Sequence, residues 1–580
     1  MTKYYTDEVN AQIVIALLKA HGIRKVIASP GATNVVMVAS MQDDPFFEMY
    51  SAVDERSAAY MACGLAAESG KPVVISCTGA TASRNYVSGM TEAYYRKLPV
   101  LAITSAQAIA RVGHHIAQVI DRSVIQNDIA RLSVTLPIVK DDNDRWECEI
   151  AVNRAILELK RQGGGPAHIN IPTTYSQSYE TKELPVFRVI DRITPTDPFP
   201  ALPKGKVAVF VGSHANMSPA LTEALDQFCA TNDSVVFCDH TSGYKGKFRV
   251  PFALAGCQTA LEIPECRPEL LIHIGEITGD YYISKCIGQQ VWRVSEDGEI
   301  RDTFRKLRYV FEMPEQSFFE HYSKTEVIGS DRYLLLCKQP LKSLREKMPE
   351  LPFSNPWLAS KMAHRIPEGS TIHFGILNSL RSWNFFDLPD SVSSASNVGG
   401  FGIDGGMSAI IGASLANRDK LYFGVFGDLA FFYDMNSIGN RHVGKNLRIL
   451  MVNNGKGTEF RQYGHLASQF GDDTDRFIAA AGHFGNKSPT LVKHYAENLG
   501  FDYMSASSKG EFEKVYERFL SPKITDHPML FEVFTDSNQE SDALESIMKI
   551  ETSLKNDVKE MVKGALGSSG VSKLKKILGK

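Results

Sequence analysis

Two polar pairs, each closing an apolar run, constrain this chain more than anything else in it. Leu421-Tyr422-Phe423-Gly424-Val425-Phe426 runs into Gly427-Asp428, and Leu447-Arg448-Ile449-Leu450-Met451-Val452 runs into Asn453-Asn454, with 24 residues between Asp428 and Asn453. An apolar run that stops at a polar turn reads as a parallel strand buried on both faces, with its loop at the carboxyl end. The stretch between, centred on residues 434–442, is long enough for a crossover helix. Such a unit sets a carboxylate and an amide side by side at the carboxyl edge of a sheet, where open α/β sheets bind ligands. A carboxylate oxygen, an amide oxygen and a nearby main-chain carbonyl suit a hard divalent cation such as Mg²⁺, whose other ligands come from water and phosphate. Taken singly, an aspartate here caps a helix and an Asn-Asn pair makes a turn. The two in this order and spacing say more than either alone.

Composition narrows the field. The chain has 580 residues, 43% of them hydrophobic, enough for three or four packed domains. A net charge of −3 and a pI near 6.6 give no basic surface for nucleic acid. Nine cysteines are scattered without a C-x-x-C pair, and an odd number is unlike a disulfide framework. The opening residues, Met1-Thr2-Lys3-Tyr4-Tyr5-Thr6-Asp7-Glu8, lack an apolar signal core, and no uncharged run reaches bilayer-crossing length. The expectation is a reduced, cytoplasmic protein with no integral membrane segment.

Strands and helices alternate along the chain, which predicts an α/β fold of mainly parallel sheets flanked by helices. Three domains are expected, at 1–185, 200–347 and 352–545, with a helical, basic tail at 546–580. Val9, Ile13, Leu17 and Ala20 recur at helical spacing and give an amphipathic opening helix. In the first domain residues 25–31 read as a strand and its turn, and 73–79 and 100–105 repeat the pattern. The second should hold strands at 207–212, 235–238, 270–275 and 291–294, and the third at 371–374, 421–426, 447–452 and 529–534. Pro185, Pro195, Pro198 and Pro200 mark residues 186–200 as a connection. The strand ending in Val211-Gly212-Ser213-His214 resembles half a dinucleotide fold, but no G-x-G-x-x-G follows it, which weakens a dehydrogenase reading.

Gly-Asp, a spacer of this length and Asn-Asn resemble the metal–diphosphate motif of the thiamine-diphosphate-dependent 2-oxo acid decarboxylases and carboligases. Leu429 stands where the motif usually has glycine, as in the branch that makes 2-succinyl-5-enolpyruvyl-6-hydroxy-3-cyclohexene-1-carboxylate (SEPHCHC) in the menaquinone pathway. The run from Gly427 to Asn436 and the run Asn397-Val398-Gly399-Gly400-Phe401-Gly402-Ile403-Asp404-Gly405 are similar to that branch. The resemblance spans about residues 5–545. It implies a pyrimidine-binding first domain, a Rossmann-like middle domain and a third domain that binds the diphosphate and Mg²⁺. It also implies a homodimer or homotetramer whose active sites are shared between chains.

Carried over by position, the metal ligands would be Asp428, Asn454 and the main-chain carbonyl of Lys456. Gly427, Leu429, Ala430, Asn378 and Ser379 would lie along the diphosphate. Gly402 and Ile403 would sit beneath the bent cofactor, Ile403 as an apolar wedge. Glu55, in Asp54-Glu55-Arg56, would hydrogen-bond the pyrimidine N1′. His114 and His115 resemble a histidine pair that moves protons in pyruvate decarboxylases, and imidazole titrates in the useful range. Gln118 is similar to an active-site glutamine of acetolactate synthases. Glu459 stands one residue before the position of an active-site glutamate in related decarboxylases. Plainer readings stand beside these: Glu55 as a first-turn glutamate favoured by the helix dipole, Ile403 as a core residue, the histidines as structural.

The resemblance implies a 2-oxo acid donor and an acceptor whose identity stays open. Three arginines of the SEPHCHC branch are absent. Its Ser-Pro-Gly-Ser-Arg-Ser reads Ser29-Pro30-Gly31-Ala32-Thr33-Asn34, its Asn-Arg-Gly reads Asn397-Val398-Gly399, and a third position holds Trp383, with Arg381 nearby. Carboxylate-rich substrates need paired cations, so the expectation is a less acidic donor such as pyruvate rather than the menaquinone reaction. A non-catalytic regulatory or assembly relative that keeps the fold is the rival reading, and retention of Glu55, Asp428 and Asn454 speaks against it.

Overall fold

The structure, a computed structural model, describes residues 4–122, 124–279, 282–323 and 330–551. It forms two compact units, Met1–Phe199 with Asp297–Glu312, and Pro200–Glu296 with the chain from Met313 onward.

In the first unit, strands β1 (Lys25–Ala28), β2 (Glu48–Ser51), β3 (Val73–Thr78), β4 (Val100–Ala106), β5 (Leu132–Thr135) and β6 (Ala167–Pro172) make one sheet. Its order is β2-β1-β3-β4-β6-β5 and every pairing is parallel. Alternate residues feed opposite cores. Val26, Val74, Leu101 and Ile169 pack with the helices Val9–Ala20 and Asp142–Glu158. Ile27, Val73, Ile75 and Ala102 pack with the helices Glu55–Ser69 and Val87–Tyr95. Each such apolar side chain contributes on the order of 1.5–3 kcal/mol by leaving water. The stretch expected as a bare connection holds a short strand, β7 (Asp191–Ile193), because the prolines flank it rather than interrupt it.

The second unit begins with β8 (Val207–Val211), β9 (Val235–Cys238), β10 (Arg249–Pro251), β11 (Leu270–Ile274) and β12 (Gln290–Ser295), parallel in the order β10-β9-β8-β11-β12. Strand β13 (Leu307–Glu312) belongs to the first unit and pairs in parallel with β7. The last sheet uses β14 (Thr371–Phe374), β15 (Ser393–Ser396), β16 (Tyr422–Gly427), β17 (Leu447–Asn453), β18 (Asp502–Ala506) and β19 (Met529–Phe534). Its order is β15-β14-β16-β17-β19-β18, again all parallel. Three parallel sheets flanked by helices are what the alternation of elements predicted. Of the expected helical tail, the helix Ser537–Met548 covers the start; residues 552–580 lie outside the described residues. Among the described residues no helix is long and apolar enough to cross a membrane, and all nine cysteines are buried and free.

The crossover after β16 corrects the sequence reading. Its helix is Asp428–Asp434, followed by a 3-10 turn at Met435–Gly439, so it starts at Asp428 itself and ends where the stretch expected to be its centre, 434–442, begins. The Asp434 carboxylate accepts from the Ser408 N–H (2.6 Å) and hydroxyl (2.7 Å), which ties the end of this helix to the helix Gly406–Leu415.

The helix that carries Glu55 is built for close approach. Asp54 caps it by accepting from Ser57 N (3.1 Å), and Gly70, at φ 60°, ends it. Its buried face is Ala58, Ala59, Ala62, Cys63 and Ala66. Small residues let Gly89 of the neighbouring helix come so near that a Cβ there would lie 2.4 Å from Ala59 Cβ. The Cys63 thiol also donates to the Gly89 carbonyl at 3.2 Å. Gly89→Val should therefore overpack this contact and lower stability by about 1–3 kcal/mol, read as a reduced midpoint in urea unfolding. An unchanged midpoint would mean that this packing does not fix the helix.

Candidate active site

Parallel strands put all their carboxyl ends on one edge, so the candidate residues of the first unit gather there. Glu55 is the first residue of its helix after β2, and its Oε2 accepts from Asn85 Nδ2 at 3.2 Å. Thr33 is buried after β1; its hydroxyl donates to the Ser105 carbonyl (2.7 Å), and Gly79 N–H donates to it (3.3 Å). His114, His115 and Gln118 occupy the irregular segment after β4 and are exposed. His115 and Gln118 adopt positive φ, 55° and 64°. The structure thus joins Glu55 to Asn85 and leaves the two histidines and Gln118 on an open loop.

In the second unit the register sets Gly427 opposite Val452, so Asp428 and Asn453-Asn454 leave the sheet on neighbouring strands. Asp428 is 2% exposed. Its Oδ2 accepts from Gly455 N (2.8 Å) and lies 2.7 Å from His483 Nε2; its Oδ1 accepts from Leu429 N (2.9 Å). Gly455 takes φ 82°, and a Cβ there would meet the Asn486 side chain at 2.7 Å, so the turn requires glycine. Asn453 faces away from this cluster, donating to Glu532 Oε1 (2.7 Å) and the Gly485 carbonyl (3.2 Å). Asn454 Oδ1, by contrast, is buried with no hydrogen-bond donor among the described residues. A buried carboxylate and an orphan amide oxygen at one sheet edge are a donor set that fits a hard cation. The Lys456 carbonyl accepts from Thr458 N (2.8 Å) and, as an sp² oxygen, keeps a second lone pair. Lys456 Nζ pairs with Asp475 (2.6 Å).

Asn378 opens the helix Asn378–Asn384 after β14, and its Oδ1 accepts from Gln462 Nε2. Ser379 is buried, its hydroxyl 3.5 Å from Asn355 Nδ2. The residue before this helix, Leu377, has φ 63° and ψ −116°. In the first unit Ala80, before the helix after β3, has φ 57° and ψ −135°. A side chain in that region costs about 1–3 kcal/mol, and such strain gathers at ligand-holding turns. Ile403 is half-buried and packs on the core of Met407, Phe426 and Phe431, just after Gly402. Ala430 belongs to the same core.

Glu459 is not a free acid. Its oxygens accept from Arg381 Nη1 (2.8 Å) and Nη2 (3.0 Å), and Arg381 also donates to Gln462 Oε1 (2.7 Å). Arg381 is therefore no free substitute for the missing family arginine. Trp383 is fully buried, donating to Asn355 Oδ1 at 3.2 Å, and Val398 is buried as well. His483, Asn85 and Gln462 carried no sequence signal, since each reaches its partner only through the fold.

Glu540 holds this region from behind. Its carboxylate accepts from Asn355 N (both oxygens at 3.0 Å) and Thr535 Oγ1 (2.7 Å), while Asn355 contacts Ser379 and Trp383. Burial pushes its pKa up from 4.5 to about 7. A carboxyl whose folded pKa is raised stabilises the fold fully below its unfolded pKa and loses that contribution as pH rises through the folded value. The shift corresponds to roughly 3 kcal/mol. Glu540→Gln should thus become more stable relative to wild type by that order between pH 4.5 and 8, measured by urea unfolding across pH. A pH-independent difference would show that Glu540 does not titrate there.

Comparison with known proteins finds relatives along most of the chain. The family model "Thiamine pyrophosphate enzyme, N-terminal TPP binding domain" matches residues 10–125; thiamine pyrophosphate is another name for thiamine diphosphate. The SEPHCHC synthase of Bacteroides fragilis is 30% identical over 555 residues, covering 93% of this chain and 98% of the relative. That of Phocaeicola vulgatus is 30% identical over 566 residues, with the same coverage. A solved thiamine-diphosphate-dependent 4-hydroxybenzoylformate decarboxylase from Rhodococcus jostii RHA1 aligns over 91% of this chain and 99% of its own, at 16% identity and a TM-score of 0.40. The identity to full-length relatives, the matched cofactor domain and the acceptor set at the sheet edge place this chain in the family of thiamine-diphosphate-dependent 2-oxo acid decarboxylases and carboligases, with SEPHCHC synthases among its relatives.

Proposed function

We propose that this protein uses thiamine diphosphate and Mg²⁺ to decarboxylate a 2-oxo acid and join the remaining acyl unit to an acceptor. The observation that carries the metal reading is the orphan Asn454 Oδ1 just past β17, beside buried Asp428 just past the neighbouring β16. Thiamine diphosphate, when bound, supplies the electron sink that makes loss of CO₂ from a 2-oxo acid accessible. Asp428, Asn454 and the Lys456 carbonyl would hold Mg²⁺. Gly427, Leu429, Ala430, Asn378 and Ser379 would line the diphosphate, with Gly402 and Ile403 beneath the rings. Glu55 would hold a proton at the pyrimidine N1′, oriented by Asn85. His114, His115 and Gln118 would face the substrates from their open loop, and Glu459, clamped by Arg381, would shape the wall rather than move protons.

We place Glu55 and Asp428 of one site on different copies of the chain, in a homodimer or larger assembly. Exposed apolar side chains support this in each unit separately: Tyr60 and Met61 on the Glu55 helix, Phe470, Phe477 and Phe484 in the segment after the metal loop. Large exposed apolar side chains mark surfaces that partners cover. Asp428→Ala should weaken thiamine diphosphate binding at least a hundredfold by calorimetry, because the diphosphate loses its bridging cation. Mixing Asp428→Ala with Glu55→Gln chains should restore part of the activity that each lacks. Wild-type affinity in the first variant, or no recovery in demonstrated heterodimers, refutes the respective assignment.

Kinship favours the SEPHCHC synthase reaction, in which 2-oxoglutarate is the donor and isochorismate the acceptor. A second reading has its own support: Thr33, Trp383 and Val398 are buried without a cation where that branch has arginines, and Arg381 is held by Glu459. One unpaired carboxylate in a closed site costs several kcal/mol, a hundredfold or more in binding. Less acidic donors such as pyruvate fit that geometry better. Steady-state CO₂ release with 2-oxoglutarate and with pyruvate, each with and without isochorismate, separates the two. We expect the higher kcat/KM with pyruvate; efficient SEPHCHC formation from 2-oxoglutarate would establish the relatives' reaction instead.

A further inference from the structure

Arg122 is a buried cation without an anion. It is 5% exposed and lies at the carboxyl edge of the first sheet. Nη2 donates to Asn170 Oδ1 on β6, but Nε and Nη1 are buried with no acceptor among the described residues. No carboxylate among the described residues forms an ion pair with it. Burial lowers its pKa only to about 10, so the guanidinium stays charged at neutral pH. Arg84, which lines the same cavity, is a second cation. His168 bonds Thr104 Oγ1 through Nε2 and Ser133 Oγ through Nδ1, both at 2.8 Å. Burial, with a smaller push from Arg122, takes its pKa down to about 3, so it adds no charge.

Leaving a buried guanidinium unpaired is strongly destabilising, and apolar replacement of such a group often stabilises a fold. A chain that keeps one at a ligand-binding edge gives it a partner in the working state. Glycine lets the backbone come close to this group: at Gly79, the residue after β3, a Cβ would lie 2.8 Å from Nη1. The next residue is Ala80, whose backbone is strained.

We propose that Arg122 anchors a carboxylate, taken from the 2-oxo acid or from the acceptor, and so replaces the cations missing at positions 33, 383 and 398. The identity of that anion rests on the proposed function; the anion site itself does not. A single buried arginine at this edge accommodates one acid group.

The test uses the full chain loaded with thiamine diphosphate and Mg²⁺. Calorimetric titrations compare pyruvate and 2-oxoglutarate as donor probes, isochorismate as the acceptor probe, and pyruvamide as a neutral control. Arg122→Met should raise Kd tenfold or more for the donor acids or for isochorismate, whichever uses the anchor, and leave pyruvamide unchanged. Arg122→Lys should recover part of the loss. Gly79→Ala, which crowds Nη1 but keeps the charge, should weaken the same ligand. In steady state the loss should fall on KM more than on kcat. Unchanged Kd for all three acids in Arg122→Met overturns the assignment, as does equal loss of acid and amide binding, which would mark a structural role. Binding of thiamine diphosphate to the wild type, measured on the same sample, separates failure of this site from failure of the proposed function.

Discussion

The parallel pairing of β16 with β17 is the constraint on which the rest of the site depends. With Gly427 opposite Val452, the two chains leave the sheet together, and Asp428 and Asn454 emerge at the same edge. A slip of one residue would turn every side chain of either strand to the other face. Burial prevents it: all seven residues of β17 are buried. Arg448 adds a pin near the strand's start. Its guanidinium, itself fully buried, donates to the carbonyls of Phe519, Ser521 and Lys523. The register is thus fixed at one end by main-chain acceptors and along its length by apolar packing.

Buried polar groups fall into two kinds, fully paired and partly orphaned. In the first kind every group is paired. Glu540 holds Asn355, which contacts Ser379 and Trp383. In the first unit, Glu8 Oε1 accepts from Thr173 Oγ1 (2.7 Å), Thr174 N (3.1 Å) and Ser176 N (3.0 Å), fixing the turn after β6. Satisfied networks in a low-dielectric interior are stiff and hold a loop in one geometry. In the second kind an atom stays orphaned. Asn454 Oδ1 and the Arg122 guanidinium are of opposite polarity, one an acceptor awaiting a cation, the other a donor awaiting an anion. Each stands at the carboxyl edge of a different parallel sheet.

The interior strands and the two polar turns were legible in the sequence because their signal is local. β3, β4, β8, β9, β16, β17 and β19 are apolar runs, and burial on both faces leaves no alternation to confuse them. The edge strands β2, β15 and β18 read Glu-Met-Tyr-Ser, Ser-Ser-Ala-Ser and Asp-Tyr-Met-Ser-Ala, half-exposed and polar, so nothing in their composition announced a strand. β6 was hidden for another reason: His168 and Asn170 sit inside it, and only their partners Thr104, Ser133 and Arg122 make that tolerable. The crossover helix was placed too late because Asp428 looks like the close of a turn, whereas the structure makes it the first helical residue.

By itself the sequence determined the parallel α/β class and the strand ends that carry Asp428 and Asn454, since each follows from residue type and spacing over a few positions; the helix start that carries Glu55 was found through the family resemblance. Only the tertiary structure decided which polar atoms are left without partners and which are taken. Arg381 and Glu459 are 78 residues apart yet pair; His483 reaches Asp428 across 55; Arg122 meets Asn170 across 48 and, among the described residues, forms no ion pair with an acid. Pairing of charges depends on distance in space, which chain separation does not encode, and so the difference between a structural ion pair and a binding group becomes visible only in the fold.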